Sequence, residues 1–393
     1  MAGKSATIRV KLFLRLMIYT RIVKVDPQNP REEYLKEAAN ILAKGGLVII
    51  PTETVYGIAA NMQNLAAIER LSEIKNRPAG KHFSVHIDKK EKIEDLAKDI
   101  PPFAYKLIDK FWPGPLTLIL KSKDSGTIGP SISLSANGER SPELAEGRSR
   151  TIGIRMPDNE IALKVIALSG VPVVCPSANV SGQPAPRNFA EAIKGLNGLV
   201  NFAIDAGSTK LGLESTIVDL TVQPLQILRE GAIKKKDIEE ITKRKTVLFV
   251  CTGNSCRSVM AEALLKKKLK EQGRQDVEVL SAGIMMLAGM GATEETRTLL
   301  ENEGINVSAH RSQRITHDMV KKSDIILVME RLHERKILEL VPEAKNKLFL
   351  LKEFAKIRDN NLDIADPIGR SLEFYAQTLG VIKEAIERIS NII

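Results

Sequence analysis

The sequence feature that most restricts the fold is a strand–loop–helix pattern around residue 251. The apolar run VLFV at 247–250 predicts a buried strand, and VMAEALLKKKLKEQG at 259–273 predicts a helix. Strand and helix patterns then alternate to residue 393 with short connections, which predicts a doubly wound parallel four-stranded sheet with helices on both faces. Ligand sites in such sheets lie at the carboxyl ends of the strands, where this pattern places Cys251.

The connecting loop, CTGNSCRS, has the composition of an anion site. Gly253 and Asn254 tolerate a left-handed backbone, so successive N–H groups can point inward. A helix that begins near Ser258 adds its positive end, and Arg257 offers a planar fork for two phosphate oxygens. These groups favour the thiolate form of Cys251, a nucleophile suited to phosphoryl transfer through a phosphocysteine.

A leaving group in such a reaction needs a proton, and Asp366 in DIADPIG is the candidate acid. By itself, the Asp366-Pro367 pair would indicate only a turn before the last helix. A metal site at Cys251 and Cys256 is disfavoured because this half has no second cysteine pair or histidine pair with ligand spacing. The sequence therefore predicts no bound metal.

CTGNSCRS with a distant Asp-Pro resembles the low-molecular-weight protein tyrosine phosphatase family over residues 246–393. The resemblance implies Cys251 as nucleophile, Arg257 as phosphate binder, Asp366 as general acid, and no cofactor. It also implies that Cys256 can pair with the nucleophile under oxidation. The residues that it assigns to the shape and support of the phosphate loop are Gly253, Asn254, Ser255, Cys256 and Ser258.

Three positions depart from that family's usual pattern. Val259 stands where a proline is usual, and Ile368 and Gly369 replace an aromatic pair. Ser255 stands where tyrosine-specific members carry a bulkier aliphatic residue, and it is similar to the branch that removes phosphate from arginine. A phenyl ring benefits from an aromatic wall, whereas a guanidinium benefits from polar contacts. The sequence thus favours phosphoarginine over phosphotyrosine.

In the N-terminal half, strand and helix patterns also alternate, which predicts an α/β domain. Polar residues cluster where apolar runs end, in PTETVYG (51–57), KNRP (75–78), SVHI (84–87), PSANVSG (176–182), ESTIVD (214–219) and ILREG (227–231). Singly, Lys75 and Arg77 suit a helix C-terminus, and His86 suits a structural histidine between apolar neighbours. Together, the segments predict a cleft for a polyanion and a small polar molecule.

These segments, with WPGPLTLIL and TIGIRMP, resemble in order the YrdC-like threonylcarbamoyl-AMP synthase family over about residues 20–233. The resemblance implies a mixed twisted sheet and condensation of L-threonine, bicarbonate and ATP, with Mg²⁺ accompanying ATP. Partner proteins would transfer the threonylcarbamoyl group to tRNA. The residues implied to bind threonine are Thr54, Arg77, His86, Arg155 and Ser215. Those implied to bind ATP are Lys75, Thr151, Ser177, Asn179 and Arg229.

Two stretches of this half depart from the family's usual pattern. The residues after KNRP read AGKHFSVHI, which leaves Lys81 and His82 without assigned contacts. Residues 124–150 are long and polar, and they predict a mobile loop over the cleft. A rival hypothesis for this half is an RNA-binding regulator without synthase activity.

Charge placement and composition divide the chain. Residues 1–24 and 234–245 account for nine of the ten net positive charges. We therefore predict a synthase-like domain at 18–233, a charged linker at 234–245 and a phosphatase-like domain at 246–393, with weak tRNA contact through the basic tail.

Cysteine usage and hydropathy bear on location and on one alternative reaction. Three cysteines are too few for a disulfide framework and favour the cytoplasm. No apolar run approaches the roughly 18 residues that span a membrane. An arsenate reductase-like redox enzyme, the rival for the C-terminal half, relays oxidation through a further cysteine. That half has only Cys251 and Cys256.

Overall fold

The computed structural model describes residues 18–76, 83–123, 151–180, 182–285 and 288–393. The chain divides between Ile238 and Glu239 into two compact units, called here the N-terminal and C-terminal units. Several predicted features lie outside the described residues, namely Arg77, Lys81, His82, the polar segment 124–150 and residues 1–17 of the basic tail.

The described strands of the N-terminal unit form one mixed sheet, as predicted. The strands are β1 (Arg21–Lys24), β2 (Val48–Ile50), β3 (Gly57–Asn61), β4 (Val85–His86), β5 (Ala97–Lys98), β6 (Leu116–Ser122), β7 (Thr151–Arg155), β8 (Val173–Val174), β9 (Phe202–Asp205), β10 (Thr216–Asp219) and β11 (Gln226–Arg229). Their order is β1-β9-β2-β3-β8-β4-β7-β6-β10-β11, with β5 paired to β6. The sheet contains parallel pairs, such as β6 with β10, and antiparallel pairs, such as β6 with β7.

Helices are interspersed with these strands, as the alternating pattern predicts. They are α1 (Glu32–Ala43), α2 (Leu65–Ile74), α3 (Ile93–Leu96), α4 (Pro102–Phe111), α5 (Glu160–Ser169) and α6 (Phe189–Ile193), and a further helix, α7 (Lys235–Lys243), spans the division between the two units. Leu35, Ala38 and Leu42 lie three and four residues apart on α1, so they form one buried face that packs with α5. The helix ends before Gly45, whose φ of +85° suits a residue without Cβ.

The C-terminal unit has a parallel four-stranded sheet, as predicted. Its strands are β12 (Lys245–Cys251), β13 (Val277–Gly283), β14 (Ile325–Val328) and β15 (Leu348–Leu350), in the order β13-β12-β14-β15. Its helices are α8 (Arg257–Glu271), α9 (Glu294–Asn302), α10 (His317–Lys322), α11 (Arg331–Leu340), α12 (Leu351–Phe354) and α13 (Leu372–Ile389).

Alternation along β12 explains why both faces of this sheet are covered. Val247 and Phe249 belong to a core cluster with residues of α8 and α13. Leu248 and Val250 belong to a second cluster with residues of α10 and α11. Because successive strand residues point to opposite faces, one apolar run supplies both cores. The predicted arrangement with helices on both faces is confirmed.

Residues 234–245, predicted as a charged linker, contain helix α7. Lys243 pairs with Glu239 one turn earlier, and Ile238 is buried. Strand β12 follows the helix from Lys245. Among the described residues, no helix combines the length and hydropathy that crossing a membrane requires.

Candidate active sites

The candidate nucleophile of the C-terminal unit lies at the end of β12. Cys251 is buried with 3% exposure, and its Sγ lies 2.9 Å from Oγ of Ser258 in the first turn of α8. Residues 251–258, called here the phosphate loop, thus connect a strand end to a helix N-terminus, as the sequence predicted. Thr252, Gly253 and Ser255 are the part-exposed residues of this loop.

A chain of hydrogen bonds determines the direction in which the hydroxyl proton of Ser258 points. Asn254 is fully buried, and its Nδ2 donates to Oγ of Ser258 at 3.0 Å and to Oγ of Ser281 at 2.8 Å. Ser281 in turn donates to Glu262, because a carboxylate only accepts. Ser258 therefore accepts from Asn254 and has its own proton left for the sulfur of Cys251. A hydroxyl that donates to sulfur stabilises a thiolate.

The backbone of the phosphate loop differs in part from expectation. Asn254 has a φ of +54°, but Gly253 is not among the residues with positive φ. A different glycine is the one that the loop requires. A Cβ on Gly283 would lie 2.8 Å from the carbonyl oxygen of Thr252 and 3.0 Å from the nitrogen of Asn254. Gly283 pairs with Cys251 at the end of β13, so the loop rests directly on its Cα.

Arg257 is 1% exposed and sits among acceptors from two other segments. Its Nη1 donates to the carbonyl of Ile364 at 2.7 Å and lies 3.1 Å from Oε2 of Glu330. Its Nη2 donates to Oγ1 of Thr252 at 3.1 Å and forms an ion pair with Asp366. Its Nε is buried and has no partner among the described residues. A buried donor without a partner is costly unless a ligand takes it, which suits an anion in the loop.

The structure brings the predicted acid to the loop. Ile364 donates its backbone N–H to Met329, and the Asp363 side chain accepts from the N–H of Arg331 at the start of α11. These bonds dock residues 363–366 beside Arg257, where Asp366 is about one-third exposed. Asp366 can therefore reach both the guanidinium and solvent.

Cys256 is a buried residue of the phosphate loop whose sulfur lies near polar side chains. Its Sγ is 3.6 Å from Oγ1 of Thr293 and 3.6 Å from the hydroxyl of Tyr375. Burial raises the pKa of Tyr375 to about 12, so its hydroxyl stays protonated near neutral pH. The carbonyl of Ser255 accepts from the N–H of Thr293 at 3.1 Å, which ties the loop to the start of α9.

The N-terminal unit holds a cavity of about 160 Å³ built from separate strand ends. Its lining residues are Thr52, Val55, Tyr56, Gly57, Lys75, Ser84, His86, Thr117, Arg155, Cys175, Pro176, Ser177, Glu214, Ser215, Ile217 and Arg229. Six of the residues that the sequence assigned to threonine or ATP lie in this lining: Lys75, His86, Arg155, Ser177, Ser215 and Arg229. The cavity therefore brings members of both predicted sets together.

Arg155, at the end of β7, forms hydrogen bonds within the protein through two of its three guanidinium nitrogens. Its Nη2 donates to Oε1 of Glu53 at 2.7 Å and to Oγ1 of Thr54 at 2.7 Å, and its Nε donates to the carbonyl of Gly114 at 3.3 Å. The guanidinium and the Glu53 carboxylate are both buried. His86 is the strand partner of Arg155, and burial followed by the charge of Arg155 lowers the pKa of His86 to about 3. His86 is therefore neutral near pH 7.

Lys75 holds the turn that follows β8. Its Nζ donates to the carbonyls of Ser177 and Asn179 at 2.6 Å each and to Oδ1 of Asn179 at 2.9 Å. The hydroxyl of Ser177 also donates to that Oδ1 at 2.6 Å. An ammonium has three protons, so these three bonds use all of them. Lys75 thus shapes residues 177–179 directly.

Ser215 and Arg229 contact each other in the lining of the cavity. Arg229 donates from Nη2 to Oγ of Ser215 at 3.1 Å and from Nε to its carbonyl at 2.9 Å, and it pairs with Glu214. The hydroxyl of Thr117 lies 2.9 Å from that of Ser215. Sequence reasoning assigned no role to Thr117 or Glu214, although both stand in segments that it singled out.

Several predicted site residues lie elsewhere. Thr151 is exposed at the start of β7 and is not part of the cavity lining. Thr54 and Asn179 do not line it either, and they reach it through Arg155 and Lys75. In the described part of the chain, no group of three or more His, Cys, Asp or Glu side chains could hold a metal ion.

Comparisons with known proteins match a different family to each half of the chain. The Sua5, YciO and YrdC family model, described as telomere recombination, matches residues 40–231. The low molecular weight phosphotyrosine protein phosphatase model matches residues 246–392.

Individual relatives match one half each. A threonylcarbamoyl-AMP synthase of Pyrococcus abyssi (strain GE5 / Orsay) is 40% identical over 207 residues, which are 53% of this chain and 56% of that protein. This chain thus spans little more than half of that relative's length. A protein-arginine-phosphatase of Geobacillus stearothermophilus is 39% identical over 144 residues, which are 37% of this chain and 93% of that protein.

One solved structure, P. abyssi Sua5 complexed with L-threonine, aligns with a TM-score of 0.50 and 28% identity, over 84% of this chain and 99% of that chain. The predicted resemblances are therefore confirmed at the level of family. This chain belongs to the Sua5/YciO/YrdC family through its N-terminal half and to the low-molecular-weight phosphotyrosine protein phosphatase family through its C-terminal half.

Proposed function

We propose that the N-terminal domain, residues 18–233, synthesises threonylcarbamoyl-AMP from L-threonine, bicarbonate and ATP and releases pyrophosphate. The observation that carries this proposal is the cavity that joins Arg155, Lys75 and Arg229. Its volume of about 160 Å³ suits a small molecule, and its lining of cations and hydroxyl groups suits a polar one. The relative named threonylcarbamoyl-AMP synthase and the Sua5 structure with L-threonine support the same activity.

In this proposal, the anchored guanidinium of Arg155 binds the carboxylate of threonine. The carbonyl of Gly114 accepts from Nε, and the side chains of Glu53 and Thr54 accept from Nη2. Nη1 is therefore left to face the ligand. Neutral His86 and the hydroxyl of Ser215 offer hydrogen bonds without adding charge. Threonine is thereby oriented for the formation of its carbamate.

ATP would lie against the other cations of the cavity. The carbamate oxygen attacks the α-phosphorus, the bond to the pyrophosphate oxygen breaks, and the released pyrophosphate carries away the negative charge. Catalysis of this step depends on position and charge neutralisation, which Arg229 and the turn held by Lys75 supply. Mg²⁺ bound to the triphosphate would neutralise further charge, and Glu214 is a cavity carboxylate able to help hold it.

Pyrophosphate release is the test of this domain. We expect release that requires both L-threonine and bicarbonate in addition to ATP, measured on the full chain by a coupled phosphate assay. Omission of either co-substrate is the control. Tight tRNA binding without such release would support the rival RNA-binding regulator. Transfer of the product to tRNA by partner proteins, and tRNA contact through the basic tail, remain proposals.

We propose that the C-terminal domain, residues 246–393, hydrolyses a phosphorylated protein side chain through a phosphocysteine. The observation that carries this proposal is the buried Nε of Arg257, which has no partner among the described residues and lies in the same loop as Cys251. A phosphate dianion in the loop would accept from Nε and from the inward backbone N–H groups.

The reaction would proceed in two displacements. The sulfur of Cys251 attacks phosphorus, the bond from phosphorus to the side-chain nitrogen or oxygen breaks, and Asp366 gives that atom its proton. Water then attacks the phosphocysteine while Asp366 takes a proton from it. Inorganic phosphate leaves, and Cys251 returns to the thiolate that the hydroxyl of Ser258 stabilises.

We further propose phosphoarginine as the substrate. Ser255 is part-exposed at the loop mouth, and Ile368, two residues after Asp366, is 59% exposed. Neither supplies the aromatic wall that a phosphotyrosine ring would stack on. The relative named protein-arginine-phosphatase supports this choice.

A paired assay tests both the class of reaction and the substrate. We expect the full chain to hydrolyse phosphoarginine peptides faster than phosphotyrosine peptides of the same sequence. Ser255→Ile should lose phosphoarginine activity while keeping or gaining phosphotyrosine activity. Equal substrate preferences before and after the change would contradict the assignment. Arsenate reduction without phosphatase turnover would support the redox alternative.

A further inference from the structure

A buried histidine touches the phosphate loop from outside it. His333 lies in α11 with no exposed surface, and its Nε2 is 3.0 Å from Oγ1 of Thr252. Thr252 directly follows Cys251 in the loop and is part-exposed. Thr252 and His333 take no part in the reaction proposed above. A fully buried ring beside the nucleophile raises the question of what it does there.

Hydrogen bonding fixes where the proton of this ring is. The backbone N–H of Glu330 donates to Nδ1 of His333 at 3.1 Å, and a backbone N–H can only donate. Nδ1 is therefore unprotonated, and the proton of the neutral ring is on Nε2. Burial, followed by the charge of Arg257, lowers the pKa of His333 to about 4. The ring is thus neutral near pH 7, and its Nε2–H donates to Thr252.

The two donors beside Thr252 determine the direction in which its hydroxyl proton points. Its Oγ1 accepts from Nε2 of His333 and also from Nη2 of Arg257 at 3.1 Å. A hydroxyl has two lone pairs and one proton, so both lone pairs are used. The O–H must then point away from both donors. Within the described part of the chain, no acceptor receives it, so it is available to a ligand in the loop.

We propose that His333 is a positioning residue that, through Thr252, aims a hydroxyl donor at the anion bound in the phosphate loop. The inference rests on the proposed phosphatase function, because that function supplies the anion. Thr252 contacts the phosphate group, and His333 acts only by occupying one lone pair of Oγ1. Without His333, the hydroxyl rotates freely and spends part of its time donating elsewhere.

Binding of inorganic phosphate to the full chain, measured by isothermal titration calorimetry, tests the inference. A hydrogen bond to a charged group stabilises more than a neutral one, so Thr252→Val should weaken phosphate binding roughly 10- to 100-fold. Thr252→Ser keeps the hydroxyl and should stay within roughly threefold of wild type. His333→Leu leaves the hydroxyl of Thr252 in place but removes the donor that orients it. This change should weaken phosphate binding roughly two- to tenfold.

Two comparisons separate positioning from a structural role. The amide nitrogen of glutamine reaches the place of Nε2, whereas that of asparagine reaches only the place of Nδ1. We therefore expect His333→Gln, but not His333→Asn, to restore binding. In the Thr252→Val background, His333→Leu should have no further effect, because there is no hydroxyl left to aim.

The inference is overturned if His333→Leu binds phosphate as wild type does. It is equally overturned if His333→Leu weakens binding by the same factor with and without Thr252, since the histidine then acts through the fold. Turnover of p-nitrophenyl phosphate by the wild-type chain is measured separately. Absence of turnover with intact phosphate binding contradicts the proposed function but leaves this test complete.

Discussion

The two candidate sites differ in how their polar groups are distributed along the chain. In the C-terminal unit, eight consecutive residues, from the last of β12 to the second of α8, supply the nucleophile, the arginine and most of the anion cradle. In the N-terminal unit, the cavity takes its cations from the end of α2 and from β7 and β11. The end of β12 and the start of α8 fix the conformation of the phosphate loop locally. The N-terminal cavity is a dispersed site, that is, one whose residues come from separate segments, so its geometry depends on the whole sheet.

The cations of the two sites are also used differently. Arg257 keeps a buried Nε without a partner among the described residues, so its binding capacity is not exhausted by the fold. The three protons of Lys75 are directed at residues 177–179. Lys75 would therefore act on ATP mainly through the turn that it shapes. A cation in a candidate site can thus serve the ligand directly or serve the scaffold that shapes the site.

The largest effect should follow from removal of the nucleophile. Cys251→Ser should lower phosphatase kcat roughly 10⁴-fold or more, because a serine hydroxyl in the same place is a far weaker nucleophile than a thiolate. Pyrophosphate release that depends on threonine should not change, since every residue of that cavity lies in the N-terminal unit. Steady-state assays of both activities on one preparation check this. Phosphatase turnover that survives would refute the nucleophile assignment.

The next largest effect tests whether the phosphate loop is prearranged. Gly283→Ala would place a Cβ 2.8 Å from the carbonyl oxygen of Thr252, so the loop backbone must shift. Displacement of reacting groups by about 1 Å reduces turnover roughly 100-fold, and we expect phosphatase kcat/KM to fall by about that factor. Gly380→Ala, at an exposed position of α13, is the matched control, because no atom lies within 4 Å of its added Cβ.

The control should leave phosphatase activity unchanged and stabilise the chain slightly, because alanine favours a helix over glycine. If Gly283→Ala has full activity, the phosphate loop tolerates movement. The contrast between a rigid continuous loop and a dispersed cavity would then lose its basis.

A third prediction concerns the dispersed site. The guanidinium of Arg155 binds Gly114, Glu53 and Thr54 through Nε and Nη2, and its Nη1 is left for a ligand. Arg155→Lys keeps the positive charge, but a single ammonium cannot do both. We expect the KM for L-threonine to rise roughly 10- to 100-fold, with a smaller change in the KM for ATP. Initial-rate measurements of pyrophosphate release check this. Arg21→Lys, at an exposed pair with Glu37, is the control and should have no effect.

Equal increases in both KM values would show that Arg155 serves the cavity as a whole rather than threonine. An unchanged KM for threonine would mean that another group holds the carboxylate. Either result would show how far the separate cations of the N-terminal cavity bind different substrates.

How much of each site the sequence could predict follows from the same difference. Cys251, Arg257 and the start of α8 follow from local spacing, so the loop was predicted as a unit. Gly283 and His333 come from β13 and α11, and only the packing of the sheet brings them to the loop. No pattern near residue 283 or 333 carries that information.

In the N-terminal unit, the polar residues at the predicted strand ends indicate a cleft even though the sequence does not give the strand order. The order itself decides which strand ends meet, so pairings such as Thr117 with Ser215 could not be derived. Thr151 is the opposite case, a residue that the sequence assigns to the site but that does not line the cavity. It lies on the same strand as Arg155 but four residues earlier, roughly 13 Å away at the usual strand rise, and it is exposed.

The smallest effect concerns Val259, where the phosphatase family usually has proline. Val259 lies in the first turn of α8, where backbone N–H groups have no intrahelical acceptor, so a proline there removes no helical hydrogen bond. We expect Val259→Pro to change phosphatase kcat/KM less than about twofold and the free energy of unfolding by about 1 kcal/mol or less. Activity assays and urea unfolding of the full chain measure both quantities.

Met260→Pro is the matched control, because the N–H of Met260 donates to the carbonyl of Cys256 at 2.9 Å. Loss of that bond in a helix costs about 3 kcal/mol and should move the end of the phosphate loop. If Val259→Pro is as damaging as Met260→Pro, the start of α8 depends on more than its hydrogen bonds. The strand end and the helix start would then be insufficient to fix the loop between them.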